Sequence, residues 1–286
     1  MKKRKKIDKS MIVPFIIFVL YAVTLVYPFF YLFIGSFNTA AGFISNPLGI
    51  PEVFNFDSFK DVFLNLGTIT GNENLSFVNM FFNSITLSVG LTLFSMALQS
   101  MAAYVLAKYK FKGNNAIYLT IIIASMVPTV GSLPATFRLM SSAHLSNTYI
   151  GMLCLQGSAF GGCFLYLHAY FKSIPWSYAE VAMIDGASDF AIFTRIMLPL
   201  ASKAIKTYGI ICFLGFWNDY WLPSLFYSEH PTLAVGLTYI QTAATSNGNY
   251  PLLFAAMIVV IIPVLILFAC FQKQLLGSIS EGGLKE

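Results

Sequence analysis

The sequence predicts an all-α integral membrane protein of six transmembrane helices with both termini on the cytoplasmic side. Three observations carry that expectation. Of 286 residues, 57 % are apolar and only 10 % are charged, whereas a soluble domain carries about 25 % charged residues to keep its surface wet. Six apolar runs, 11–35, 82–107, 116–139, 149–171, 204–227 and 251–272, are each long enough to cross a bilayer. A helix rising about 1.5 Å per residue needs roughly 20 apolar residues for that. Finally, when the runs alternate from an inside N-terminus, 17 lysines and arginines sort so that only Lys60 and Arg138 fall outside, as the positive-inside bias requires.

The mean hydropathy of +0.72 and an aromatic content of 16 % exclude a disordered chain, a coiled coil, a collagen and a small disulfide scaffold. The net charge of +5 is too thinly spread for a nucleic-acid binder; the surrounding partner is membrane lipid. Long unbroken apolar runs without period-2 alternation argue against a barrel, and in lipid such runs must be helices because each backbone group needs an internal partner.

Residues 1–10 form a basic cytoplasmic N-terminus, with Lys2, Lys3, Arg4, Lys5, Lys6 and Lys9. Residues 11–286 form a single transmembrane domain. The first run resembles a signal peptide only at its basic start. Met11–Phe37 is well beyond the roughly 7–15 residues of a signal h-region and no clear A-x-A site follows, so it is an uncleaved span. Outside lies the segment 38–80, too long for a simple connector and short for a domain. The 2–3 connection, Lys108 to Asn114, is cytoplasmic and lysine-rich. The outer connection at 140–148 is short. A second outer loop, 228–250, ends in the turn-rich Ser246-Asn247-Gly248-Asn249-Tyr250-Pro251. No internal repeat is present.

Catalytic chemistry is absent from the sequence. Cys154, Cys163, Cys212 and Cys270 fall in the apolar runs without metal-type spacing and read as small apolar fillers. His144, His168 and His230 are scattered, and neither a metal site nor a cofactor is expected. No H-E-x-x-H, G-x-S-x-G or phosphate-binding G-x-x-x-x-G-K-[ST] occurs. Asp219, in Trp217-Asn218-Asp219-Tyr220-Trp221, is the conspicuous acid within a run. It faces either a cavity or the outer headgroups among belt aromatics. Arg138 and His168 lie near span ends, where they can snorkel. Asn83 opens the second run and reads as a cap or a pore residue. Candidates for a translocation path are Asn83, Asn218, Asp219 and Trp221. So little intramembrane charge suggests an uncharged polar solute and energy that enters from elsewhere.

The cytoplasmic connection 172–203 is the informative segment. Pro175 ends the preceding helix. Ser177-x-x-Glu180 reads as a capping box for a short helix to about Asp185. Gly186 permits a sharp change of direction. A second amphipathic segment carries Phe190, Phe193, Ile196 and Met197, and Pro199 closes it. This elbow either docks against a partner or packs on its own bundle, with Glu180 then a cap partner only.

The stretch Glu180-Val181-Ala182-Met183-Ile184-Asp185-Gly186-Ala187, followed by Ile196-Met197-Leu198-Pro199, resembles the EAA loop of ATP-binding-cassette (ABC) importer permeases. Val181 stands where that loop has its first alanine. Asn83-Ser84, Ala102-Ala103-Tyr104, Met126-Val127-Pro128, Asn147-Thr148 and Trp217-Asn218 are similar to maltose-type carbohydrate permeases, in particular to their six-span, MalG-like partner. Gly161-Gly162-Cys163-Phe164 departs from that family's Pro-Phe pattern. The resemblance implies a MetI-like type I ABC importer permease fold in a bacterial cytoplasmic membrane. It implies ATPase coupling through Glu180, Ala182, Asp185, Gly186, Ala187, Ile196, Leu198 and Pro199. It implies three partners: a cytoplasmic ABC ATPase dimer, a second homologous permease and an extracytoplasmic solute-binding protein. The last of these would meet Ser246, Asn247, Gly248, Asn249 and Tyr250. The chain is then a carbohydrate-import subunit and not an enzyme. Alternatives are the same architecture for a polyol or glycerol phosphate, or an integral-membrane enzyme, which would need convergent titratable groups within the spans.

Overall fold

The computed structural model describes residues 12–71, 75–127 and 131–282, with side chains as far as Gln272. The basic segment 1–10, Pro128, and the side chains of the C-terminal stretch with Lys273 and Lys285 lie outside the described residues. The described residues are helical: α1 Ile12–Gly35, α2 Ala40–Ser45, α3 Asp57–Leu64, α4 Leu66–Thr70, α5 Phe77–Lys108, α6 Asn114–Met126, α7 Leu133–Ser142 and α8 Tyr149–Gln156. There follow α9 Phe164–Ser173, α10 Ser177–Ile184, α11 Asp189–Ile192, a π-helical turn Phe193–Met197, α12 Leu198–Leu200, α13 Ser202–Asn218, α14 Trp221–Phe226, α15 Leu233–Asn247 and α16 Tyr250–Gly282.

Three helices are long and apolar enough to cross a membrane unaided, Ile12–Gly35, Phe77–Lys108 and Tyr250–Gln272. The runs expected as the third, fourth and fifth spans are broken instead. Gly131 stands between α6 and α7, with Pro134 in the first turn of α7; Gly157, Gly161 and Gly162 stand between α8 and α9; and Asp219 precedes α14. A fourth apolar segment, Asp189–Leu200 with Ser202–Asn218, is bent by 78° at Ala201.

The chain divides into two compact units. One comprises residues 1–77 and 237–262, the other 78–236 and 263–286. In the first unit, α1 and α16 meet through rings. Tyr31 and Phe43 pack edge-on against Phe254 with centroids 5.6 and 5.3 Å away. A side chain at Gly35 would come within 2.8 Å of the Phe254 ring, so only glycine admits this approach. The segment 38–80 is not an open loop. Thr39 caps α2 by accepting from the Gly42 N–H at 3.0 Å, and Phe37 gathers Phe54, Phe56 and Phe59 around it.

The second outer connection also differs from its expectation as a loop. Most of it is helix α15. Gly248, at φ +68°, ends that helix, the Asn249 N–H returns to the Ala244 carbonyl at 2.9 Å, and α16 begins at once. This is the left-handed glycine closure of a helix C-terminus. The expected tip, Ser246–Tyr250, is therefore a tight turn between two helices.

The second unit is tied at one end by Asn147, whose backbone is left-handed at φ +57°. Its N–H donates to the Phe226 carbonyl at 2.7 Å, and its amide donates to Glu229 at 3.1 Å. Its side-chain oxygen accepts from Ser228 and from the Glu229 N–H, both at 3.3 Å. Thr148 then caps α8 through the Gly151 N–H at 3.0 Å. Asn83 is well inside α5 rather than at its start, so it is no cap; its amide donates to the Pro231 carbonyl at 3.1 Å. The Leu233 N–H donates to Ser84 at 2.7 Å. His168 does not snorkel: it is buried, stacked on Tyr118 with centroids 4.4 Å apart.

Asn147→Ala removes these side-chain bonds and places a Cβ residue without Asn's local bonding in the left-handed region. The expected loss is about 2–3 kcal/mol, from the unpaired groups and roughly 1 kcal/mol of backbone strain. A lower thermal midpoint of the detergent-solubilised protein, partly restored by Asn147→Gly, checks this.

Candidate functional site

The elbow between α9 and α13 is built from the residues anticipated, by a somewhat different local route. Pro175 disfavours helical geometry at Ile174, whose ψ of 128° ends α9. The new helix then starts from Trp176: its carbonyl accepts from the Ala179 and Glu180 N–H groups at 2.8 and 3.2 Å. Ser177 is the first helical residue, so the expected Ser177–Glu180 capping box does not form. Glu180 is thereby left exposed in the first turn of α10, where a carboxylate favours the helix dipole.

Helix α10 ends in a Schellman closure. The Ala187 N–H returns to the Ala182 carbonyl at 2.9 Å and the Gly186 N–H to Met183 at 3.0 Å. Gly186 takes the left-handed position with φ +78°. A Cβ there would touch nothing within 4 Å, so the requirement for glycine is conformational rather than steric, worth roughly 1–2 kcal/mol. Ser188 opens α11 by accepting from the Ala191 N–H at 3.3 Å. Pro199 does not close this segment. It has no N–H to give Arg195, and the turn before it, Phe193–Met197, is widened to π geometry. The chain turns at Ala201 instead.

The elbow has two faces. Ala179, Ala182, Ile192, Phe193 and Met197 are buried in one core with Ala103 and Tyr104 of α5, Phe164, Leu167 and Phe171 of α9, and Ala204 of α13. Ala187, Ile196 and Leu198 pack partly against the same core. Each large side chain buried there contributes about 1.5–3 kcal/mol. The other face is exposed. Ile184 is 85 % and Phe190 70 % accessible, beside Tyr178, Val181, Glu180 and Asp185. Large apolar side chains exposed with acids among them, and uncovered among the described residues, mark a candidate contact surface.

The end of α5 fastens the elbow in place. The Tyr109 hydroxyl donates to Asp189 at 2.8 Å and its ring meets Trp176 edge-on at 5.8 Å. Tyr104 packs on Phe193 at 5.0 Å and on Phe171 at 5.7 Å, and its hydroxyl lies 3.4 Å from that of Tyr109. Lys108 donates to the Ile174 carbonyl at the end of α9. Asn114 closes the turn by donating to the Leu106 and Tyr109 carbonyls at 3.1 and 2.6 Å. Burial first, then the hydrogen bonds with Tyr104 and Asp189, push the Tyr109 phenol above its ordinary range. Its proton therefore stays in place throughout the neutral and mildly alkaline range. Sequence reading missed Tyr109 and Trp176; the signal available was an aromatic beside each cytoplasmic helix end.

The path candidates fall together only in part. Asn218 and Trp221 are exposed at the break between α13 and α14, the latter 54 % accessible. Asp219 is tied: one carboxylate oxygen accepts from the Trp221 and Leu222 N–H groups at 2.9 and 3.3 Å, and the other from Gln156 at 2.8 Å. It thus satisfies the first N–H groups of α14 and links them to the end of α8. Asn83 is engaged with Pro231, away from these three in sequence and bonding.

The sequence pattern of the family described as binding-protein-dependent transport system inner membrane component matches residues 99–280. The chain is 29 % identical to the diacetylchitobiose uptake system permease protein NgcG of Streptomyces coelicolor, over 92 % of this chain and 85 % of that one. It is 31 % identical to the probable starch degradation products transport system permease protein AmyC of Thermoanaerobacterium thermosulfurigenes, over 91 % of each. Its fold is similar to that of a chain in the crystal structure of a bacterial ABC transporter involved in the import of the acidic polysaccharide alginate. There the TM-score is 0.77 at 22 % identity, covering 94 % of this chain and 99 % of that one.

Tyr109→Phe keeps the ring contacts and loses the bond to Asp189, worth about 1.5 kcal/mol. Local opening of the elbow, read as tryptic cleavage at Arg195 in inside-out vesicles, is expected to rise roughly tenfold. Because Tyr109 keeps its proton, the wild-type cleavage rate relative to an unstructured control peptide should not change between pH 7 and 9.

Proposed function

The chain belongs to the family of binding-protein-dependent transport system inner membrane components, and from that premise we propose that it is one of two permease subunits of a carbohydrate importer. Its elbow is the seat for a cytoplasmic ABC ATPase. Members of the family are transport components of the inner membrane and not enzymes, and they work with a solute-binding protein. Support for the carbohydrate class comes from the named relatives, one named for diacetylchitobiose uptake and the other as a probable permease for starch degradation products.

The observation that carries the coupling role is the two-faced elbow. Its inner face is continuous with the core that holds α5, α9 and α13. Its outer face presents Val181, Ile184, Glu180 and Asp185 to a partner. The sequence contains no phosphate-binding loop of its own, so the driving force arrives through contact. Closure of an ATPase dimer on nucleotide would push the outer face, and the shared core would carry the push into the spans as a rigid-body movement. Glu180 and Asp185 would pair with basic groups on the ATPase. Gly186 would hold the angle between the two short helices, and Ala182, Ala187, Ile196, Leu198 and Pro199 would keep the elbow seated.

The turn Ser246–Tyr250 is the proposed contact for the binding protein. Along the path, Asn218 and Trp221 are the proposed solute-facing groups, since their side chains are exposed where the helix is broken. Asp219 holds that break open, and Asn83 holds α5 to the segment before α15.

The test is the double substitution Gly186→Pro with Glu180→Lys in the assembled complex. Solute uptake and solute-stimulated ATP hydrolysis are both expected to fall to background while the chain still reaches the membrane. Wild-type values of both would refute the coupling role.

A further inference from the structure

Two of the four cysteines leave the role of apolar filler. Cys163 begins the fourth run's inner half, at the start of α9, and Cys212 lies in the middle of α13. Their sulfurs are 2.8 Å apart, about 0.8 Å beyond the length of a disulfide bond. Cys154 and Cys270, by contrast, are exposed on separate helices.

The approach is held from several directions. The Cys163 N–H, one of the free donors at the start of α9, is accepted by the Gln99 side chain of α5 at 3.1 Å. The Cys163 thiol also reaches the Tyr208 carbonyl at 3.8 Å, one turn before Cys212 on α13. Tyr166 and Tyr208 stack between the same two helices with centroids 4.8 Å apart. Gln99 and Cys163 are buried and Cys212 is partly accessible. The pair sits where the sequence reads Gly161-Gly162-Cys163, so the backbone that must yield for bond formation is glycine-rich on one side.

We propose that Cys163 and Cys212 form an oxidisable dithiol, a modification site whose disulfide staples the broken fourth span to α13. Two S–H bonds break and one S–S bond forms. Two protons and two electrons pass to a quinone of the membrane, which leaves as the quinol; it reaches the pair through Cys212. The bond closes a covalent loop of about 50 residues that contains the whole elbow, and such a loop restricts the unfolded chain strongly. Both helices already share one core with the elbow, so the staple joins parts that move together.

The experiment uses native membranes containing the full-length chain. They are treated with diamide, which takes up the two electrons and two protons as its hydrazine, then denatured with maleimide to block remaining thiols. Trypsin, which cuts the elbow at Lys172, Arg195, Lys203 and Lys206, then separates the two halves. The fragments bearing Cys163 and Cys212 are expected to migrate as one species that dissociates on reduction, with maleimide found on Cys154 and Cys270 only. The joined species should be absent from Cys163→Ala and Cys212→Ala. Full maleimide labelling of Cys163 and Cys212 in the diamide-treated wild type, with no joined species, would overturn the proposal. That reading needs no variant to fold.

Discussion

A helix that crosses lipid cannot leave backbone polar groups unpaired, and this chain breaks several of its apolar helices. The structure depends on how those breaks are closed. Among the described residues, several of the freed groups are met by polar side chains. Gln99 of α5 accepts the first N–H of α9. Asp219 accepts two N–H groups of α14 and is itself held by Gln156 of α8. Asn147 ties the α7–α8 turn to the end of α14. An unpaired buried group costs about 1–3 kcal/mol in protein and more in hydrocarbon. These few amides and one carboxylate are therefore what makes short helices tolerable at membrane depth. They also explain why intramembrane polarity is scarce yet not randomly placed.

The same economy shapes the elbow. Its inner face uses alanines, Ala179 and Ala182, where α10 must lie close on its core, and large side chains, Phe193 and Met197, where the widened turn leaves room. Its outer face has no internal partner among the described residues. Ile184 and Phe190 in water forgo about 1.5–3 kcal/mol each, which a docking partner would recover. Tyr109 and Trp176 brace the elbow against the end of α5, so a force on the outer face has a stiff route into the second, fourth and fifth apolar segments.

Much of this was legible in the sequence. Six apolar runs, the sidedness of the lysines and arginines, and the elbow's helix–glycine–helix plan are properties of composition and local chemistry. The family match and the structural similarity agree with the helical membrane-protein class. The breaks were not legible, because Gly157, Gly161 and Pro134 sit inside runs that remain apolar by any average. Ser177-x-x-Glu180 fits a capping box in spacing, yet Pro175 fixes the chain one residue earlier and hands the cap to Trp176. The segment 228–250 reads as an outer loop because it joins two apolar runs and ends in turn-rich residues, but Leu233–Asn247 folds as α15. The Tyr109–Asp189 bond spans 80 residues, and no local pattern announces it.

The central claim is that the exposed face of α10 is the contact through which ATP hydrolysis drives this chain. The most direct measurement places a photo-activated benzoylphenylalanine at Ile184, which is 85 % accessible, and irradiates the assembled transporter. The account predicts a covalent adduct with the ATPase subunit, lost when the probe is moved to the buried Ala182. Adducts with lipid or with the chain itself, in a complex where the ATPase remains bound, would contradict it.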